Sequence, residues 1–394
     1  MRILYHHRTA SKDGQAVHIE ELVGALRELG HEVRVVGPRE SGGSMGDDAN
    51  WVHKLKATLP KALYELMEFA YTLLAYRRLT VAASEFRPDF IYERYNLFLL
   101  AGAMLKRRLK IPLLLEVNAP LADERGHFGG LGLPRLARWA ESRAWRDADF
   151  VLPVTRVLAG HVAATGVPAE RISVIPNGIN RTHFSTALPP EIAKRNFGLT
   201  DALVLGFTGF VRDWHGVDRV IRWMASPAAP ANTVLMVVGD GPVRGELERL
   251  ADQLMLHGRV RFTGVVPRDQ VPNHVAAFDI ALQPAVVPYA SPLKLFEYLA
   301  LGKAVIAPRQ PNIEEILVDN DNALLFDSTL PDGMEQALTC LCADAALRSR
   351  LAASAATTID RLDLTWLGNA RRVTALAKRA AGPAGQQALP HQAA

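Results

Sequence analysis

The chain has 394 residues, of which 49% are hydrophobic and 22% are charged, which indicates two globular domains with sizeable cores. A net charge of only +4, with acidic residues interspersed among basic ones, argues against a nucleic-acid partner. The two cysteines, Cys340 and Cys342, fit neither a disulfide framework nor a metal site. The N-terminal residues lack the apolar core of a signal peptide, and no apolar run approaches the length of a membrane span. We therefore expect a cytoplasmic protein.

Residues 1–36 predict the opening of a Rossmann-like domain. A short buried strand over 2–5 is followed by a polar loop, a helix from about Val17 to Leu29, and a second strand. Ligands bind at the carboxyl ends of the strands in such sheets, so the loop with Gly14 is expected to line a site. His18 lies in the same region.

Residues 51–110 combine apolar and basic side chains. The spacing of the apolar residues from Trp51 to Leu74 predicts one or two amphipathic helices. The region carries eleven basic and five acidic residues, a net of +6. A basic amphipathic helix suits peripheral contact with anionic lipid at the inner face of the cell membrane. The alternative is a helix that packs its apolar face into the core and leaves a basic face in water.

Polar residues stand at the carboxyl ends of two apolar strands in the first domain. Arg94 follows a strand over 88–92, and Glu116 and Asn118 end a strand over 111–118. Glu116 and Asn118 point to the same side because side chains alternate along a strand. We expect these residues to face a ligand.

The rest of the first domain has weaker signals. The loop 119–132, which contains His127, is predicted to be a mobile flap. Strands over 149–154 and 172–175 would complete the domain. The segment 181–200 lacks periodicity and is interpreted as a linker.

A second alternation of strands and helices begins at Leu203 and predicts a second doubly wound domain. Its ligand loops follow the strands and contain Gly209, Arg212, His215, Gly239, Gly241 and Gly264. After Phe326 the chain is predicted to be helical to about residue 381.

The stretch 289–303 predicts a short helix that is central to the expected function. Ser291 suits an N-cap, and Pro292 suits the first helical position, where its missing N–H costs nothing. Gly302 suits the position just after the last residue of the helix. The helix is therefore expected from about 292 to 301.

The first turn of this helix predicts an anion site. It offers free N–H groups and the positive end of the helix dipole, to which Lys294 adds a full charge. Glu297 lies three residues further on, on the same face, where its carboxylate would accept hydrogen bonds from a ribose. The pair suits a nucleoside diphosphate; the alternative is a solvent-facing Lys–Glu pair.

Six motifs, taken in this order, resemble family-4 retaining glycosyltransferases of the GT-B fold. They are Gly14 before the first helix, Val174-Ile175-Pro176-Asn177-Gly178, Thr208-Gly209 with residues 214–218, residues 238–242, Phe262-Thr263-Gly264, and residues 291–298. The resemblance implies an α/β protein with two Rossmann-like doubly wound domains that face each other across a cleft. The implied segments are an acceptor-binding domain over 1–180, a linker over 181–200, a nucleotide-sugar-binding domain over 201–360, a helix over 361–381 that crosses back, and a disordered tail over 382–394.

The resemblance also implies roles for individual residues. Lys294 would hold the diphosphate and Glu297 the ribose, with Arg212 and Asn118 completing the catalytic set. The implied donor-binding residues are Gly14, Gly209, His215, Gly239, Gly241, Gly264, Tyr289, Ser291, Pro292 and Leu293. The acceptor-side residues are Arg94, Glu116, His18 and His127.

Four of these positions depart from the family pattern, among them Arg212, which is displaced from the place of the basic pair often found after Gly209. Tyr289 stands where the family often has the first glutamate of a pair, and His215 stands where lysine is common. Asn118 stands where a histidine is often found.

The expected reaction transfers a hexose from a nucleotide-sugar, UDP-linked by family frequency, to a hydroxyl of a saccharide, a lipid-linked saccharide or a small molecule. It would retain the anomeric configuration and need no metal or other cofactor. Lys294 would stabilise the charge on the departing phosphate, and that phosphate would take the acceptor's proton, with Glu116 as the alternative base. Two other functions stay open: a nucleotide-sugar epimerase of the same fold and a non-catalytic hinged sugar-binding protein.

Overall fold

The computed structural model describes residues 1–9, 14–38 and 59–386, which form two compact units. The N-terminal unit contains residues up to Pro176 and the C-terminal helix from Leu367, and the second unit contains Asn177–Trp366. Part of the glycine loop before Gly14, the beginning of the basic region at Trp51, and the end of the tail lie outside the described residues. None of the described helices is long and apolar enough to cross a membrane.

A five-stranded parallel sheet lies at the centre of the N-terminal unit, in the strand order β2-β1-β3-β4-β5. The strands are β1 (Arg2–His6), β2 (Glu32–Val36), β3 (Phe90–Arg94), β4 (Leu113–Val117) and β5 (Phe150–Pro153). β3 and β4 are buried along their whole length, as expected for apolar runs in a parallel sheet covered by helices. The helices are α1 (Gly14–Glu28), α2 (Lys61–Phe86), α3 (Ala101–Leu109), α4 (Leu121–Phe128), α5 (Pro134–Asp147) and α6 (Arg156–Ala164).

The second unit is built on a six-stranded parallel sheet in the order β11-β10-β9-β6-β7-β8. Its strands are β6 (Leu203–Thr208), β7 (Thr233–Val238), β8 (Val260–Gly264), β9 (Ile280–Leu282), β10 (Ala304–Pro308) and β11 (Leu324–Phe326). Its helices are α7 (Arg181–Phe184), α8 (Pro190–Asn196), α9 (Val217–Met224), α10 (Arg244–Gln253), α11 (Val271–Ala276), α12 (Leu293–Ala300), α13 (Gly333–Ala343) and α14 (Ala345–Arg361). The chain then returns to the N-terminal unit in α15 (Trp366–Gln386), which is interrupted at Gly382.

Both sheets reverse their strand order beside the first strand of the unit. β1 lies between β2 and β3, and β6 lies between β7 and β9. In doubly wound sheets, ligands bind outside the carboxyl ends of the strands at this point. The prediction of two doubly wound α/β units is confirmed, and each unit has one sheet edge where a site is expected.

Two segments of the chain between β5 and β6 differ from the sequence predictions. Residues 172–175 form no strand, only a single bridge from Ile172 to Val151. The segment 181–200 contains α7 and α8 in place of an irregular linker. The side chain of Asn180 caps α7 by accepting the His183 N–H at 3.1 Å, which stabilises a helix too short to show periodicity.

The predicted flap over 119–132 contains the helix α4. Arg125 on α4 donates two hydrogen bonds to the buried carboxylate of Glu68, at 2.6 and 3.2 Å. Bidentate pairing of this kind fixes both position and orientation. The segment is therefore anchored to α2.

Candidate functional site

Backbone-to-backbone packing joins the loops that follow β6 and β7. A Cβ atom on Gly239 would overlap the carbonyl oxygen of Gly209, and one on Gly241 would overlap that of Val211. The Val211 N–H donates to the carbonyl of Asp240 at 2.9 Å. Because only glycine permits this approach, the glycines predicted to bind the donor have a packing role as well.

Lys294 lies in the first turn of α12, close to Gly209. Its Nζ atom is buried, has no hydrogen-bond partner in the described part of the chain, and lies 3.5 Å from the centre of the Phe207 ring. Burial lowers the pKa of Lys294 from 10.5 to about 7, although the Glu297 carboxylate opposes the change. A buried ammonium without an acceptor is costly, and a bound anion would relieve that cost. This position is therefore suited to an anion.

The start of α12 differs from the prediction. The helix begins at Leu293, Pro292 is its N-cap residue, and no side chain from the described residues caps it. Ser291 instead anchors the preceding loop: its Oγ accepts the Asn177 N–H at 3.2 Å, and its carbonyl accepts from Asn177 Nδ2 at 2.5 Å. The first N–H groups of α12 are thus open to a ligand. Gly302 follows the helix with a positive φ of 56°, as the stop signal predicts.

Glu297 lies one turn beyond Lys294 and is tied to the end of β6. Its carboxylate accepts a hydrogen bond from the Thr208 hydroxyl at 3.1 Å. The Tyr298 hydroxyl accepts the Thr208 backbone N–H at 2.9 Å, which locks α12 to the strand. Burial raises the pKa of Glu297, while the Thr208 hydrogen bond and the Lys294 ammonium act in the opposite direction. The carboxylate and the ammonium therefore occupy fixed places at one sheet edge.

His215 is buried and neutral beside this ammonium. Its Nδ1 accepts the backbone N–H of Arg212 at 3.0 Å, so the proton of the neutral ring lies on Nε2. Burial, together with the nearby charges of Lys294 and Arg212, lowers the pKa of His215 to about 3. The ring packs against Phe207, with the ring centres 5.4 Å apart. His215 can therefore donate a hydrogen bond to a ligand, but it does not supply a positive charge.

The other predicted donor-side residues lie around the same edge. Arg212 is exposed, with its guanidinium 5.0 Å from the centre of the Phe210 ring. Gly264 ends β8 and forms a bridge with Gly239. Tyr289 is half-buried in the loop before α12, and Leu293 is half-buried at the start of the helix. The side chain of Asn312 holds that loop by donating to the carbonyls of residues 287 and 290, at 3.2 and 2.8 Å.

A second cluster lies at the carboxyl ends of β3 and β4 in the N-terminal unit. Its centre is the buried carboxylate of Glu116, which Arg94 contacts through a short ion pair. The same carboxylate interacts with His18 Nε2 at 2.9 Å, the Tyr92 hydroxyl at 2.7 Å and Asn118 Nδ2 at 2.5 Å. The structure thus brings together four of the sequence-predicted residues and adds Tyr92.

Glu116 is poorly suited to act as a base. Burial alone would raise its pKa, but His18 and Arg94 together hold the pKa well below the usual range. Four donors already occupy its two oxygens. Its paired state suits a role in positioning the side chains around it, and its use as a base stays an untested alternative.

The other two predicted residues are on helices of the N-terminal unit. His127 is exposed on α4, where its Nδ1 interacts with the carbonyl of Asp123 at 2.8 Å. Gly14 is the first residue of α1, and the residues just before it lie outside the described ranges.

The sequence analysis gave no individual role to several residues that make contacts at these sites. They are Phe207, Thr208, Tyr298 and Asn177 in the second unit, and His6 with Glu93 in the N-terminal unit. His6 Nδ1 lies 2.5 Å from Glu93 Oε2, at the ends of neighbouring strands. For His6, Glu93 and Thr208, the sequence offered one indication of a site: each lies at or near the carboxyl end of an apolar strand.

No group of three or more histidine, cysteine, aspartate or glutamate side chains in the described ranges is arranged to hold a metal ion. Metal independence stays a prediction.

Two family models match the chain, one in each half. Residues 13–178 match the glycosyl transferase 4-like domain. Residues 190–358 match the glycosyl transferases group 1 family.

Similar proteins of known activity extend over most of the chain. A GDP-mannose-dependent alpha-(1-6)-phosphatidylinositol monomannoside mannosyltransferase of Mycolicibacterium smegmatis is 27% identical over 345 residues, covering 84% of this chain and 86% of that protein. The lipopolysaccharide core biosynthesis glycosyltransferase LpsD of Rhizobium meliloti is 27% identical over 371 residues, covering 91% and 93%. Among solved structures, Anabaena Alr3699/HepE in complex with UDP and glucose has a TM-score of 0.73 at 18% identity, covering 96% of this chain and 99% of that one.

Proposed function

Since the chain is a glycosyltransferase of the GT-B fold that takes its sugar from a nucleotide-sugar donor, we propose that Lys294 and the first turn of α12 hold the donor's diphosphate. The main observation in support of this proposal is that the buried Nζ of Lys294 has no hydrogen-bond partner among the described residues. A diphosphate oxygen placed there would accept a charge-assisted hydrogen bond and keep the lysine protonated. Glu297, one turn along, would accept hydrogen bonds from the ribose.

The electrostatics of the site favour departure of a nucleoside diphosphate. Breaking the glycosidic bond places negative charge on the β-phosphate, and preorganised donors around that charge lower the barrier. Lys294, the amides of α12 and the Nε2–H of His215 are such donors, and the exposed Arg212 would add a second cation. Positive charge from the protein replaces a metal in this proposal, so the reaction is metal-independent.

We propose that the transfer proceeds with retention at the anomeric carbon. The acceptor hydroxyl attacks from the face that the diphosphate leaves, and the leaving phosphate takes its proton. The paired state of Glu116, whose oxygens are occupied by four donors, supports a reaction without a carboxylate base. Asn118 and Arg94, which Glu116 orients, are proposed to contact the acceptor.

We further propose a UDP-linked hexose as the donor and a saccharide or lipid-linked saccharide as the acceptor. The structure of Alr3699/HepE in complex with UDP and glucose supports the choice of base, and the M. smegmatis relative, named for GDP-mannose, makes guanine the main competitor. Both relatives described above are named for lipid or lipopolysaccharide products, which supports a lipid-linked acceptor. We place the reaction in the cytoplasm, with peripheral membrane contact.

A thermal-shift comparison tests the donor site. UDP, GDP and ADP are added to the wild type, to Lys294→Ala and to Lys303→Ala, a control at another buried lysine whose Nζ donates to the Ala276 carbonyl at 2.7 Å. One diphosphate should raise the melting temperature of the wild type and of Lys303→Ala, with little effect on Lys294→Ala. Equal shifts in all three proteins would contradict the proposal.

The reaction itself is tested with the diphosphate selected in this way. The anomeric configuration of the product is read by NMR, and the rate is measured with and without EDTA. We expect retention and an unchanged rate. Inversion, or a loss of rate restored by Mg²⁺ or Mn²⁺, would overturn the corresponding part of the proposal.

A further inference from the structure

Helix α2 exposes a row of large apolar side chains while it buries two carboxylates. A surface helix normally buries its apolar stripe and exposes its charges. In α2, Glu65, Glu68 and Thr72 are buried together with Ala75, Leu79, Ala82 and Ala83. The side chains that face outward, between 43% and 62% exposed, are Leu63, Leu66, Met67, Leu73, Leu74 and Val81.

Specific hydrogen bonds hold α2 in this orientation. The Glu65 carboxylate accepts the backbone N–H groups of Gly132 and Leu133, at 2.8 and 2.7 Å, just before α5 begins. Glu68 accepts the two hydrogen bonds from Arg125 described above, and the Thr72 hydroxyl donates to the Phe98 carbonyl at 2.8 Å. Rolling the helix to bury its leucines would break all of these bonds and leave buried carboxylates unpaired. The outward apolar stripe is therefore a fixed surface.

The outward apolar residues lie on one side of α2 and are interrupted by the exposed Arg77. They extend from Leu63 to Val81, which at 1.5 Å per residue corresponds to about 27 Å along the helix. Trp139 on α5 widens it: this indole is 49% exposed, and its ring centre lies 6.1 Å from that of Phe69. We call this surface, α2 from Leu63 to Val81 together with Trp139, the α2 face.

The charges around the α2 face are mostly positive. Exposed basic side chains on α2, α3 and α5 include Lys61, Arg77, Arg108, Arg135 and Arg138, whereas Arg107 pairs with Asp147 at 2.6 Å. Two of the three acidic residues of α2 are buried, and the third, Glu85, pairs with Arg34 at 2.7 Å. A broad apolar strip with a basic border complements a bilayer that carries anionic headgroups. An indole beside it suits the interfacial region.

We propose that the α2 face docks on an anionic lipid bilayer, with its leucines and Trp139 in the interfacial layer and its basic residues on the headgroups. The proposal deepens the proposed function and rests on it in one respect, because docking would bring the enzyme to a lipid-linked acceptor. The exposed leucines differ from the core-packing alternative of the sequence analysis, although Leu79 and three alanines of α2 are buried. Contact with anionic lipid stays a prediction.

Flotation of the full chain with lipid vesicles tests the docking. We expect binding to vesicles of phosphatidylglycerol and phosphatidylcholine at low salt, weakening as salt rises, and little binding to phosphatidylcholine alone. The double variant Leu73→Glu/Leu74→Glu should lower the partition coefficient at least tenfold. Met255→Glu, a matched control at an exposed apolar residue of the second unit, should leave it unchanged. Arg135→Gln/Arg138→Gln should lower binding about fivefold for each charge near the surface.

Three outcomes would overturn the docking proposal. The first is a wild type that does not float with the anionic vesicles. The second is a folded Leu73→Glu/Leu74→Glu variant that floats as well as the wild type. The third is a wild-type dimer, seen by light scattering, that this variant abolishes while vesicle binding is absent, since the α2 face would then join two copies of the chain.

Nucleotide binding separates this proposal from the proposed function. The thermal shift caused by the selected diphosphate should be the same in the wild type and in Leu73→Glu/Leu74→Glu. Failure to float with an intact shift contradicts the docking alone. Normal flotation without any nucleotide shift contradicts the donor site and leaves the docking supported.

Discussion

In the N-terminal unit, four side chains donate to the buried carboxylate of Glu116, whereas in the second unit the buried Nζ of Lys294 has no hydrogen-bond partner among the described residues. The Glu116 cluster lies at the carboxyl ends of β3 and β4 in the first sheet. Lys294 lies near the carboxyl end of β6, and the second sheet reverses its strand order beside β6. The difference separates two uses of a buried charge. A fully paired charge fixes the structure around it, while an unpaired one is ready for a ligand of opposite charge.

The largest expected effect comes from breaking the paired cluster. Glu116→Gln leaves the charge of Arg94 buried without its counter-ion, so the free energy of unfolding should fall by about 3–5 kcal/mol. Urea denaturation measures the change. Glu85→Gln, at the exposed pair with Arg34, is the control and should cost less than about 1 kcal/mol. Equal losses in the two variants would mean that the Glu116 cluster is not a structural unit.

Removing the unpaired charge should affect the reaction more than the fold. Lys294→Ala should lower kcat about 10²–10³-fold, because Lys294 meets charge that grows in the transition state. Steady-state kinetics with the selected donor measures this effect, and circular dichroism checks the fold. Near-wild-type kinetics in a folded variant would refute the phosphate-binding role.

Glu297→Gln should have a smaller effect, on a different parameter. The ribose is unchanged between ground and transition state, so its contact contributes uniform binding and sets KM rather than kcat. We expect the donor KM to rise about tenfold with kcat nearly constant, a loss of about 1.4 kcal/mol. The glutamine oxygen can still accept the Thr208 hydroxyl. A collapse of kcat at constant KM would mean that the two residues have exchanged roles.

The smallest effect expected is on pH dependence. In the empty site the pKa of Lys294 is about 7, and a bound diphosphate would raise it, so donor binding takes up a proton above pH 7. The donor KM should therefore rise about fivefold from pH 7 to pH 8. The rise should be absent in Lys294→Ala. A flat KM profile in the wild type would show that the donor does not contact this ammonium.

Without a bound donor, the free energy of unfolding should also depend on pH through Lys294. The pKa of Lys294 is lower in the folded than in the unfolded chain, so the unfolded state binds more protons between pH 7 and 10.5. The contribution of this lysine to the free energy of unfolding therefore rises with pH across that window. Lys294→Met should remove the rise and stabilise the empty protein at pH 7, by about 2–4 °C in melting temperature per kcal/mol of unfolding free energy. Melting curves across this pH range measure it.

Local patterns were enough for most strands of the two sheets and for one end of α12, although the strand predicted over 172–175 is absent and β11 was not predicted. Apolar runs marked β3 and β4, and Gly302 marked the end of the helix. The start of α12 was misplaced because Ser291 bonds to Asn177, which lies 114 residues away in the chain. A prediction that uses only neighbouring residues in the sequence cannot include that contact.

The orientation of α2 shows the same limit. Its periodicity indicated an apolar stripe, but the sequence pattern does not say which side faces the core. The orientation of α2 depends on hydrogen bonds from Arg125 and from the backbone just before α5, because these donors need the carboxylates of Glu68 and Glu65 on the buried side of the helix. Lys294 is a third case. The spacing placed Lys294 and Glu297 on one helical face, but only the structure shows that the Lys294 Nζ lies over the Phe207 ring without a hydrogen-bond partner among the described residues.

The N-terminal unit is discontinuous, because the chain leaves it at Pro176 and returns to it at Leu367. Asn369 in α15 donates to the Pro176 carbonyl at 2.7 Å, and Arg379 lies over the ring of Phe150, 5.2 Å from its centre. A ribosome releases α15 after everything else described here. The second unit is continuous and can complete its core as soon as Trp366 has emerged. During synthesis, therefore, the part of the chain that is translated first is the part that finishes folding last.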